Sequence, residues 1–163
     1  MTEKLFYQDS HLAEFDAVVT ACREQDGRYA VELDRTAFFP EGGGQYADTG
    51  FLDGVRVTDV RECGGTVVHL TDAPLEEGSR VHGRIDWEER FMKMQQHSGE
   101  HIVSGLVHAR YGYNNVGFHL GSEDCTMDFS GELTREQLAG MGREAEGAVW
   151  KNLGIQTLYP SEE

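Results

Sequence analysis

The stretches "TAFFPEGGGQYADTG", residues 36 to 50, and "HSGEH", residues 97 to 101, hold the side chains of this sequence best suited to chemistry. Gly42, Gly43 and Gly44 are consecutive and lack Cβ atoms, so the backbone there can approach a ligand or another chain segment closely. Around them Thr36, Glu41, Gln45 and Asp48 supply a hydroxyl, two carboxylates and an amide, a set suited to a polar ligand of amino-acid size. The plainer reading is a mobile hairpin loop. Two common phosphate cradles are excluded, because no GK[ST] follows and the GxGxxG spacing is absent.

His97 and His101 stand four apart, a spacing at which two imidazoles on one helix can converge on a metal ion. At roughly 100° per residue, His97, His101 and His108 fall within an arc of about 40°, close to Met94 and Ser104. Phe91, Met92, Ile102, Val103, Leu106 and Val107 take the broad opposite side. The histidines therefore face either solvent or a polar cleft, not an apolar core. Zinc needs further N, S or O donors. His119 and Cys125 are candidates, although a partly buried Cys more often serves as a small apolar filler. The same letters match HxxEH, in which Glu100 would be the general base of a zinc peptidase; otherwise Glu100 is an exposed helix residue.

The elements that must position these groups follow from periodicity. "KLFYQD" and "EFDAVVTACREQDGRYAVELD" alternate apolar with polar residues around an Asp-Gly turn, and "VRVTDVREC", "TVVHLT" and "SRVHGRID" repeat the pattern. Residues 1–86 are thus expected to form a small β-barrel or sandwich. From Asp86, a plausible N-cap, the period becomes helical up to Gly112. Two strands, "NVGFHLGS" and "DCTMDFSG", a second helix capped by Thr134 and a last strand, "IQTLYP", complete an α+β unit over 87–163.

Composition limits what this arrangement can do. With 14 Lys plus Arg against 29 Asp plus Glu, the formal charge is −15, so the chain has no broad basic surface for wrapping nucleic acid. A nucleic-acid partner would have to be gripped locally, with Arg84, Arg90 and Lys93 as a small basic rim. Cys22, Cys63 and Cys125 are odd in number and widely spaced, which fits reduced thiols. No secretory signal or membrane span is legible, and the expected location is the cytoplasm.

Taken in order, "DRTAFFPEGGGQYADTG", "RFMKMQQHSGEHIVSGLV" and "GFHLGSEDCTMDF" resemble the editing domain of alanyl-tRNA synthetase and the free-standing alanyl-tRNA editing proteins of the AlaX type. The resemblance runs from about Lys4 over nearly the whole chain. It implies an α+β fold in which a small N-terminal β-barrel-like domain packs on an α/β unit like the second additional domain of threonyl- and alanyl-tRNA synthetases. It also implies a hydrolase that removes serine, or glycine, from mischarged tRNA(Ala), a correction needed because pockets discriminate poorly among such small side chains. The matching zinc ligands are His97 and His101, with Glu100 a candidate base. Thr36, Gly42, Gly43, Gly44 and Gln45 match the positions that would hold the misplaced amino acid and the 3′ end of the tRNA.

The family's second ligand pair, CxxxH, is missing: Cys22, Cys63 and Cys125 are followed four residues later by Asp26, Val67 and Phe129. We expect a chain cut before that pair, with an incomplete zinc site. The competing expectation is a metal-free module that binds a tRNA end or a protein partner. Oligomeric state is not legible.

Overall fold

The computed structural model describes residues 1–121, 124–156 and 158. They form ten strands and two α-helices, and the chain divides into two units. The first comprises Met1–His97 with His119–Thr126; the second comprises Ser98–Phe118 with the chain from Met127 onward.

In the first unit, β1 (Glu3–Lys4) runs parallel to β4 (Arg35–Thr36). Six further strands pair in a closed ring: β2 (Glu14–Gln25), β3 (Arg28–Leu33), β7 (Thr66–Thr71), β6 (Val55–Cys63), β5 (Gly50–Leu52) and β8 (Arg80–Ile85), back to β2. All six pairings are antiparallel. Closure satisfies both edges of every strand, which an open sheet of this size cannot do.

The alternation seen in the sequence is the inside-outside alternation of this barrel. Phe15, Ala17 and Val19 of β2, Val31 and Leu33 of β3, Val67 of β7, and Val81 and Ile85 of β8 point into one core with Phe38 and Leu52. The expected Asp-Gly turn joins β2 to β3, with positive φ at both Asp26 and Gly27. "KLFYQD" is not a strand beyond Lys4. Leu5–Tyr7 turn into a short 3-10 segment that buries Phe6 against Phe39, so ring packing replaces strand pairing there.

Helix α1 (Trp87–Tyr111) begins in the first unit and continues into the second. Glu88 and Glu89 lie in its first turn, where acids favour the helix dipole. Asp86 accepts the Thr49 hydroxyl at 2.5 Å and pairs with Arg56 at 2.8 Å, which fastens the helix start to the barrel. The helix stops at Gly112, whose φ is +70°.

After α1, β9 (Asn115–Leu120) and β10 (Cys125–Phe129) form a two-stranded sheet. Helix α2 (Arg135–Trp150) opens with a full capping box. Thr134 accepts the Gln137 amide, and the Gln137 side chain reaches back to the Thr134 amide. Met141 is its buried residue, and Arg110 of α1 pairs with Glu144. Of the last strand expected at 155–160, residues 157, 159 and 160 lie outside the described residues, and Ile155, Gln156 and Leu158 are in no strand. No described helix is long and apolar enough to cross a membrane.

Candidate functional site

The glycine-rich stretch forms a tight reversal between β4 and β5. Gly42 and Gln45 exchange two backbone hydrogen bonds of 3.0 Å, and Gly43 and Gly44 between them have φ of +61° and +81°. Two successive positive φ values define a hairpin turn that L-residues adopt poorly, which is why both positions are glycine. Gly43 and Gly44 are exposed at the tip, while Gln45 is buried at its base. The Leu120 amide donates to the Gly44 carbonyl at 2.9 Å, which ties the turn to the end of β9.

The buried Gln45 side chain turns towards α1, where its Oε1 lies 3.1 Å from His97 Nδ1. An amide oxygen only accepts, so this contact assigns a proton to Nδ1 of His97. The His97 ring also lies under Gly43, where a Cβ would stand 3.6 Å from it. The loop and the histidine helix, 52 residues apart in sequence, thus meet at one pair of side chains.

On the next turn of α1, Glu100 is buried while His101 is exposed. This corrects the expectation of an exposed Glu100. Its Oε1 accepts from Ser104 Oγ and from Asn115 Nδ2, the latter at 2.7 Å, and Asn115 also donates to Ser104 at 3.0 Å. The carboxylate can be buried because these donors replace water. Its other oxygen lies 3.3 Å from His101 Nδ1. Ligand atoms of His97, Glu100 and His101 lie within 4.8 Å of one another. The imidazoles of His97 and His101 are donors that zinc takes, so they fit two positions of a zinc site, with the Glu100 carboxylate beside them. Among the described residues, His119 and Cys125 are not part of that group.

Thr36, Asp48, Arg90 and Lys93 are all buried. The Thr36 hydroxyl lies 2.8 Å from His69 Nε2 and accepts the Phe38 amide at 3.1 Å. Asp48 receives the Phe39 amide at 2.7 Å and the Arg90 guanidinium. Lys93 donates to the Ala47 carbonyl at 2.7 Å, and burial pushes its pKa down against the opposing pull of Glu89. Neither Arg90 nor Lys93 is the solvated basic rim expected from the sequence; both are spent on oxygen atoms of the loop. Arg84 is exposed.

His69 escaped the sequence reading. It is fully buried, and burial lowers its pKa to about 4. The signal was present in "TVVHLT", where Val67, His69 and Thr71 share the inward register of β7.

Comparison with known proteins matches residues 3–89 to the family of class II (A) tRNA synthetases. Among curated relatives, the alanyl-tRNA editing protein Aarsd1 of Danio rerio is 38% identical over 74% of this chain and 32% of its own length. The alanyl-tRNA editing protein AlaX-L of Pyrococcus horikoshii is 34% identical over 95% of this chain and 40% of its own. The alanine–tRNA ligase of Ignicoccus hospitalis is 39% identical over 84% of this chain and 16% of its own. The chain therefore spans two fifths or less of the length of these relatives. By the matched half of its residues and by relatives named as alanyl-tRNA editing proteins and alanine–tRNA ligases, the chain belongs to the class II (A) tRNA synthetase family, on its alanyl-tRNA branch.

Proposed function

We propose that this chain is an editing module that hydrolyses mischarged tRNA(Ala) in the cytoplasm, with Ser-tRNA(Ala) as its substrate and Gly-tRNA(Ala) as the second candidate. The observation that carries the reading is the contact of Gln45 with His97. It joins the two motifs of the alanyl-tRNA resemblance at a single point.

In this reading the segment between β4 and β5 supplies the loop, and helix α1 supplies the histidines. The turn at Gly42, Gly43 and Gly44 gives the terminal adenosine and the aminoacyl ester close access to backbone. Gln45 orients His97, and Thr36, held by His69, fixes the entry into the loop. His97 and His101 are the residues that would hold zinc, with the Glu100 carboxylate beside them. Bound there, the metal would supply Lewis-acid polarisation of the ester carbonyl or of a water. Glu100 takes the proton-accepting role through the oxygen facing His101, since its other oxygen is occupied by Ser104 and Asn115. Water oxygen bonds to the ester carbonyl carbon as its proton passes to Glu100, the bond to the ribose oxygen breaks as that proton is handed on to the oxygen, and the amino acid and the free 3′ end leave. An aminoacyl ester is already activated, so placement supplies much of the rate.

The competing expectation is a metal-free module that binds a tRNA end or a partner. The two separate cleanly. Under the editing reading, His97→Ala loses bound zinc and lowers Ser-tRNA(Ala) hydrolysis by about a hundredfold or more, read by elemental analysis and by release of labelled serine. Undiminished hydrolysis by His97→Ala would remove His97 from the mechanism. A wild-type chain that binds tRNA(Ala) but takes up no zinc and releases no serine would be a binding module.

A further inference from the structure

The first turns of α1 carry a polar stripe in which Arg90 and Lys93 are buried, and of its three members the proposed reaction uses only His97. Arg90, Lys93 and His97 follow at three- and four-residue spacing and so share one helix face. Each reaches a different part of the loop. Arg90 forks onto Asp48 from two nitrogens and also donates to the carbonyls of Ala37 at 2.6 Å and Ser10 at 3.1 Å. Lys93, with no exposed surface, donates to the Ala47 carbonyl at 2.7 Å, pairs with Glu89 at 3.1 Å and lies 3.7 Å from the centre of the Tyr46 ring. His97 faces Gln45.

Positions 90, 93 and 97 of the helix thus meet positions 48, 47 and 45 of the loop, in antiparallel order. A slip by one helical turn, about 5.4 Å, would break all of these contacts together. Two desolvated cations are a costly means of holding a loop, because removing ions from water is repaid only when their geometry is good. An apolar face would give attraction without direction. The guanidinium fork and the ammonium supply direction.

We propose that Arg90 and Lys93 are positioning residues that set the register of the glycine-rich loop on α1, so that Gln45 meets His97. Their catalytic meaning rests on the editing reading, but the register itself does not, and the two can be tested apart.

The experiment is amide hydrogen exchange on the whole chain as wild type, Arg90→Lys and Lys93→Met, with Arg143→Ala as the control for loss of an exposed charge. The reporters are the Gln45 amide, bonded to Gly42, and the Asp48 amide, bonded to Phe39. Expected is exchange at least about tenfold faster at both reporters in both variants, since each loses charge-assisted bonds. Amides of β3 and β7 should keep their wild-type rates, and Arg143→Ala should match the wild type throughout. Hydrolysis of Ser-tRNA(Ala) by the two variants should fall about tenfold or more. Unchanged exchange at the reporters in either folded variant overturns the proposal, whatever happens to hydrolysis. Loss of the whole fold in both variants overturns it too, because the contacts would then carry the barrel and not the loop. Faster reporter exchange beside a wild type that releases no serine supports the register and sinks the editing reading alone.

Discussion

His69 shows how one buried residue ties chemistry to stability. Its Nδ1 lies 3.1 Å from the Val31 carbonyl, which only accepts, so Nδ1 carries the proton and Nε2 accepts from the Thr36 hydroxyl. The ring is neutral in the folded chain, with a pKa lowered from 6.5 to about 4 by burial, against the smaller opposing effect of the Val31 bond. Below pH 6.5 the unfolded chain gains a proton that the folded chain refuses. The stability that the neutral ring contributes is therefore complete above pH 6.5 and is lost as pH falls to about 4. The expected loss is about 3 kcal/mol over that window, from 1.36 kcal/mol per unit. Urea midpoints measured between pH 7 and 4 should fall more steeply for wild type than for His69→Gln, and parallel curves would contradict this.

At the same scale, the letters gave the candidates and not their partners. Gln45, His97 and His101 are readable because glycine runs and paired histidines are uncommon. Arg90 and Lys93 read as solvated because cations usually are. What buries them are the carbonyls of Ala37, Ala47 and Ser10, and a backbone oxygen leaves no mark in a sequence.

At the scale of elements, local rules were reliable where the period was long. Strands β2, β3, β6, β7 and β8 and both helices follow from alternation, turn residues and caps. The two-residue β4 and the three-residue β5 do not, because they are too short to show a period, and β4 pairs with β1 and β5 with β8, about thirty residues away in each case. Gly50 of β5 marks one such approach: a Cβ there would meet the Arg84 carbonyl oxygen at 2.2 Å. Helix α2 offers the clearest test at this scale, since its capping box lies on the surface. Thr134→Ala should cost about 1 kcal/mol, seen as faster amide exchange through the first turns of α2 with the barrel strands unaffected. Equal loss of protection in β3 and β7 would mean that the helix and the barrel unfold as one.

At the scale of the whole molecule, a formal charge of −15 sits beside membership of a tRNA synthetase family. With Arg90 and Lys93 buried, still fewer cations remain to meet phosphate. Under the proposed editing reading, a chain with that balance would hold its substrate through the aminoacyl end and depend little on counterion release. The measurement that tests the account most directly is the release of amino acid from Ser-tRNA(Ala) and Ala-tRNA(Ala), side by side, by the zinc-supplemented wild-type chain. The account predicts hydrolysis of the seryl ester well above the buffer rate, with the alanyl ester spared. Release of neither amino acid above the buffer rate, or of both at the same rate, would contradict it.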